Sequence, residues 1–60
     1  MIPRDPAMLL GFVNMKLRDF YGNPDEMCDD LDCDREEILR ILSGYGCTYD
    51  PKLNRFIQEK

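Results

Sequence analysis

Sixty residues carry eight basic and twelve acidic side chains and no histidine, a formal charge of −4. A chain this short buries only about 60% of the surface its unfolded form exposes, so we expect one domain with a small core and little room for a water-excluding pocket. The acidic balance disfavours nucleic acid and anionic membrane as partners, and the lack of His removes the commonest general base.

The first elements are punctuated by Asp and Pro. Residues 1–4 read as a short arm. Asp5-Pro6 then opens a helix, with Asp as N-cap and Pro at the first helical position, where its missing N–H has no cost. Helical periodicity predicts this helix over about 6–21. Leu9, Leu10, Val13, Leu17, Phe20 and Tyr21 fall within an arc of roughly 120° and form the core-facing stripe. Gly22 is the expected stop. Met8, Phe12 and Met15 project nearly opposite, beside Gly11. Flexible methionines next to a glycine allow close, adaptable contact, so these three are the candidate interaction surface.

Asn23-Pro24-Asp25-Glu26 repeats the opening pattern and predicts a second helix over about 24–31, with Met27, Cys28 and Leu31 on one side. Asp32-Cys33-Asp34 turns the chain. Asp34 with Glu37 has the spacing of another capping box, starting a third helix over about 35–43. Its predicted inner face is Ile38, Ile41, Leu42 and Tyr45, with Leu39 at the margin, and Gly44 or Gly46 ends it. Beyond Gly46 the period becomes alternating, predicting a hairpin over about 47–57. Pro51 suits the second position of its turn and Asn54 tolerates a left-handed conformation at the exit. Tyr49 and Phe56 are the residues that would pack it onto the helices. The predicted fold is therefore mainly α with a small C-terminal β-hairpin, its three helices in a helix-turn-helix-like, minimal winged-helix-like arrangement.

The pair spanning Asn23–Gly44 is the expected structural centre. Small Cys28 permits a close helix crossing, Asp32 takes the turn conformation usually given to Gly, Cys33 plugs the turn and Ile38 faces inward. Its charge argues against the usual task of such a pair. Between Gly22 and Gly46 stand eight acidic residues (Asp25, Glu26, Asp29, Asp30, Asp32, Asp34, Glu36 and Glu37) and two basic ones, Arg35 and Arg40. Nucleic-acid affinity comes largely from neutralising phosphates, so a recognition helix opening Asp-Arg-Glu-Glu starts from repulsion. If duplex DNA were the partner, Arg35, Arg40, Lys52 and Arg55 would be its contacts.

Other chemistry finds little support. Cys28, Cys33 and Cys47 are odd in number, which fits a reducing cytoplasm better than a disulfide framework. Cys28-x4-Cys33 lacks the paired spacing of a zinc knuckle, and the first two thiols occupy positions where small hydrophobes belong. The run Asp29-Asp30-x-Asp32-x-Asp34 lacks the central Gly and terminal Glu of a calcium loop. The apolar run Ala7–Leu10 is broken by Gly11 and preceded by Pro3, Asp5 and Pro6, so it makes neither a signal peptide nor a membrane span. There is no nucleophile–base pair, phosphate loop or paired carboxylate. Neither enzymatic activity, cofactor nor metal is expected.

Several blocks together resemble a known family: Asp5-Pro6-x-Met8-Leu9-Leu10, Asn14-x-Lys16-Leu17-Arg18-Asp19, Cys28-x-Asp30-Leu31-Asp32 and Tyr49-Asp50-x-x-x-Asn54-x-Phe56. They are similar to the uncharacterised domain family numbered forty-two fifty, short bacterial proteins of about this length. The resemblance covers almost the whole chain. It implies a bacterial source and a stand-alone domain, and carries no activity, ligand or catalytic residue with it. In the turn, Cys33 stands where that family has a β-branched residue. Two readings result: a cytoplasmic interaction module, self-associating as a homodimer through Met8/Phe12/Met15 or meeting an unknown basic protein through the acidic second helix, and, as the alternative, a small DNA-binding transcriptional regulator.

Overall fold

The computed structural model describes residues 2–58. Three helices, α1 (Pro6–Asp19), α2 (Pro24–Leu31) and α3 (Arg35–Gly44), precede an antiparallel pair of strands, β1 (Cys47–Asp50) and β2 (Arg55–Gln58). Each helix starts as its local chemistry dictates. The Asp5 carboxylate accepts from the Met8 N–H at 3.1 Å, the Asn23 side-chain oxygen from the Glu26 N–H at 2.8 Å, and the Asp34 carboxylate from the Glu36 N–H at 3.0 Å. These contacts satisfy donors that have no partner within a helix's first turn.

Two capping details differ from expectation. Glu26 reaches back to the N–H of Gly22 rather than that of Asn23. Glu37 does not close a box with Asp34; its carboxylate pairs with Arg4 of the N-terminal arm at 3.0 Å. An ion pair to a long, mobile cation has replaced a local backbone contact.

α1 ends two residues earlier than predicted. Phe20 is its C-cap, with φ −130° and ψ −29°, and the N–H groups of Phe20 and Tyr21 both bond to the Lys16 carbonyl. Leaving the helical path swings Phe20 out of the apolar stripe, so it is 66% exposed instead of buried. Gly22 therefore plays no part in the stop. α3 runs one residue further than predicted, and the left-handed position is Gly46, with φ 84°. Tyr45, expected on the inner face, is the α3 C-cap and 38% exposed.

α2 ends as the sequence predicts. Asp32 adopts φ 57°, ψ 48°, and the N–H groups of Asp32 and Cys33 both reach the Cys28 carbonyl. Gly takes this conformation without strain, and a short polar side chain tolerates it. Asn54 at φ 52° closes the four-residue hairpin turn in the same way, while the Asp50 side chain accepts from the Lys52 N–H. The strands pair Cys47 with Gln58 through Asp50 with Arg55, one residue beyond the predicted end.

The core is Leu9, Val13 and Leu17 from α1, Met27 and Cys28 from α2, Ile38 and Leu42 from α3, Cys47 from β1 and Phe56 from β2. Tyr49 lies over it, its ring 5.3 Å from that of Phe56. The hairpin is thus fastened to the helices by the two aromatics assigned to that task from the sequence.

Side-chain amides add a second fastening. In an antiparallel pair, successive residues turn their backbone groups alternately toward and away from the partner strand. Phe56 turns its groups away from β1 and toward α1. There the Asn14 amide donates to the Phe56 carbonyl at 2.9 Å and accepts from its N–H at 2.7 Å. Asn54 donates to the carbonyls of Leu17 and Tyr21, at 3.2 and 3.0 Å, and accepts from the Tyr49 hydroxyl at 2.6 Å. Two of the last carbonyls of α1 and its exit are so satisfied from the hairpin turn. Among the described residues no buried side-chain nitrogen or oxygen lacks a partner.

Candidate functional site

The seam between α1 and the hairpin leaves a shallow groove of about 600 Å³ on its outer side. Gly11, Met15 and Arg18 form the helix wall, Leu53 and Arg55 the hairpin wall, and Asn14 and Asn54 its floor. Asn54 commits both amide hydrogens to the fold and Asn14 one of its two, so the floor offers shape more than free donors. A Cβ placed on Gly11 meets nothing within 4 Å, which makes the helix wall open there rather than tightly packed. Met15 is 37% exposed and Leu53, at the hairpin tip, 62%.

The predicted surface is only partly assembled. Met8 is 65% exposed one turn before Gly11, and Met15 lies in the groove. Phe12 differs: it is half-buried and packs against the core, with the Lys16 ammonium 5.5 Å above its ring. The same ammonium lies 5.0 Å from the Phe20 ring. One cation therefore shields two aromatic faces that would otherwise extend the apolar patch.

The four basic candidates do not converge. Arg35 is held by Asp25 at 2.8 Å across the starts of α3 and α2. Arg40 is exposed five residues along α3, about 140° around the helix from Arg35, so one groove of a duplex meets only one of them. Lys52 is exposed in the hairpin turn. Arg55 instead joins Arg18 in the α1–hairpin groove. Arg18 is already hydrogen-bonded to Asp19, and this contact holds the Asp19 carboxyl below its usual range.

Sequence reasoning placed Gly11 beside the methionines but did not find Leu53 or Arg18 as parts of the same site. The available signal was Leu53 itself, a large apolar residue at the tip of a polar turn where no core can reach it.

The carboxylates are concentrated on α2, α3 and the turn between them. There the Tyr21 hydroxyl donates to Asp30, which raises the phenol above its ordinary value. Burial, reinforced by a side-chain hydrogen bond with Cys33, pushes the Cys28 thiol up to about 12. Among the described residues no group of three or more Cys, Asp or Glu is arranged to hold a metal ion. None of the described helices is long and apolar enough to cross a membrane.

These features define a small three-helix domain closed by a β-hairpin, with a groove lying along the seam between the first helix and the strands. The chain belongs to the family described as domain of unknown function (DUF4250), whose model matches residues 3–56. The family resemblance read from the sequence is thereby established. No curated protein and no solved structure matches the chain.

Proposed function

We propose that this domain is a cytoplasmic protein-interaction module that self-associates through the outer side of α1 and the hairpin tip. The observation that carries this reading is the placement of Met8, Met15 and Leu53. All three are exposed, and Met15 faces Leu53 across one groove. Large apolar side chains gathered at one groove on so small a surface favour burial against a partner. Light scattering across a concentration series tests it. Apparent mass should rise above the monomer at micromolar concentration, and Met15→Asp with Leu53→Asp should abolish the rise while leaving the thermal midpoint unchanged. Phe12→Asp is a poorer probe, since Phe12 supports the core. A monomer at millimolar concentration would overturn self-association.

DNA binding is the weaker reading. What favours it is the approach of Arg55 to Arg18 beside the hairpin, with Lys52 close in sequence. Each phosphate contact would add roughly −0.9 to the salt slope of binding. We expect no retention on duplex DNA at low ionic strength, because the α2–α3 half opposes it with eight carboxylates.

A further inference from the structure

The two cysteines of the α2–α3 turn hold positions that matter together. The Cys33 N–H bonds to the Cys28 carbonyl at 3.0 Å, around left-handed Asp32. This is the six-residue closure of a Schellman-type helix end, in which the side chains at the two closing positions normally touch as an apolar pair. Here both are thiols, and the neighbouring Cys33 thiol helps to raise Cys28 above its ordinary range. A disulfide needs two Cα atoms no more than about 7 Å apart, and this closure draws the two residues toward each other.

Access to the pair is unequal. Cys28 is buried, whereas Cys33 is half-buried, and both line an open hollow of about 570 Å³. The third thiol, Cys47, is buried in β1 and does not line it. Around the hollow stand Asp25, Glu26, Asp29, Asp32 and Asp34, with the Arg35 guanidinium alone against them. Five carboxylates at an open mouth attract cations and repel anions at low ionic strength.

We propose that Cys33 and Cys28 are a thiol–disulfide exchange site selective for small cationic disulfides, Cys33 being attacked first and Cys28 resolving. The Cys33 thiolate attacks one sulfur of R–S–S–R, forming a mixed disulfide and releasing R–S⁻. Cys28 loses its proton, and its sulfur attacks the Cys33 sulfur, expelling the second R–S⁻ and closing the Cys28–Cys33 bond. The protein is oxidised by two electrons, the reagent is reduced to two thiols, and these take up the two protons the cysteines lost. Exposure dictates the order, since half-buried Cys33 is the more accessible of the two thiols lining the hollow and Cys28 is buried beside it. Burial of Cys28 also makes the closing step the base-dependent one.

The test exposes the folded chain to cystamine, to neutral hydroxyethyl disulfide and to oxidised glutathione, followed by intact mass and non-reducing peptide mapping. The wild type should lose two hydrogens, retain no adduct and show Cys28 linked to Cys33. Cystamine should act at least about tenfold faster than oxidised glutathione at low ionic strength, and the gap should close in about 1 M salt. Cys28→Ser should trap the adduct on Cys33, and Cys33→Ser should leave the folded chain unreactive. Cys28→Ala serves the same purpose if a hydroxyl in the core prevents folding. A stable adduct on wild-type Cys33, a link to Cys47, or reaction only in denaturant would overturn the exchange site. Equal rates for the three reagents would overturn its selectivity.

Discussion

The α1–hairpin seam and the α2–α3 pair are built by opposite means. The seam joins segments about forty residues apart through Asn14, Asn54 and the buried Phe56, and its contacts are uncharged. The α2–α3 pair is written locally, in N-caps at Asn23 and Asp34 and a left-handed residue at Asp32, and its surface is almost entirely acidic. Local chemistry can form either helix of the pair, whereas the seam ties α1 to the hairpin across most of the chain. The element that organises this fold is therefore α1 with its hairpin. The helix-turn-helix spacing that dominates the sequence is the part attached to it.

That contrast can be broken at Phe56. Phe56→Ala removes the largest fully buried side chain and should cost about 3–5 kcal/mol. A domain of this size has little more stability than that, so the far-ultraviolet spectrum should show helix loss at 25 °C. Asn14→Ala should cost about 2 kcal/mol, because it strands both backbone groups of Phe56, and urea denaturation reads this directly. If that variant matched the wild type, the seam would not be what holds the hairpin.

Alkaline titration probes the other half. The Cys28 thiol rises from an ordinary 9.0 to about 12 in the folded state. A raised folded pKa favours the protonated form, so the stability it supplies is complete below about pH 9 and is lost as pH climbs toward 12. Tyr21, raised by its hydrogen bond to Asp30, acts in the same direction from its ordinary 10.0 upward. Urea midpoints should fall across this window, and Cys28→Ala should flatten the early part of the fall.

Two small gains sharpen the comparison further. Asp32→Gly relieves a left-handed aspartate and removes a carboxylate from the C-terminal end of α2, where the helix dipole opposes it; about 0.5–1 kcal/mol of added stability is expected. Gly11→Ala meets open space and should add a similar amount through helix propensity. The two differ in a second readout. Gly11→Ala alters the groove and should weaken self-association in light scattering, whereas Asp32→Gly should leave it unchanged.

Most of the fold was legible because it is punctuated by local chemistry. Asp5-Pro6, Asn23-Pro24, Asp34 and Asp32 each act within four residues of their position, as does the left-handed backbone at Asn54, and a linear reading captures that range. The failures are of another kind. Phe20 and Tyr45 fit their apolar stripes by angle, but each sits at a cap where the backbone has left the helix. Asn14 carries no local signal of its role, since its partner lies 42 residues away. Glu37 had a local role available and took a distant one with Arg4. The groove was half visible: Met15 follows from helical spacing, whereas Leu53 and Arg55 face it only once the hairpin has docked. The blocks that resemble the family contain Asn14, Tyr49, Asn54 and Phe56, which build the seam. The resemblance therefore identified the scaffold.

The grip of Asn14 on Phe56 also bears on how the protein behaves in a crowded cell. A short hairpin ordinarily presents an outer row of unpaired backbone groups on which a stray strand from another molecule can grow. The centre of that row in β2 is already occupied by a side-chain amide from α1. A foreign strand arriving at this edge finds its middle rung taken, so the amide that fastens the hairpin also guards it against aggregation.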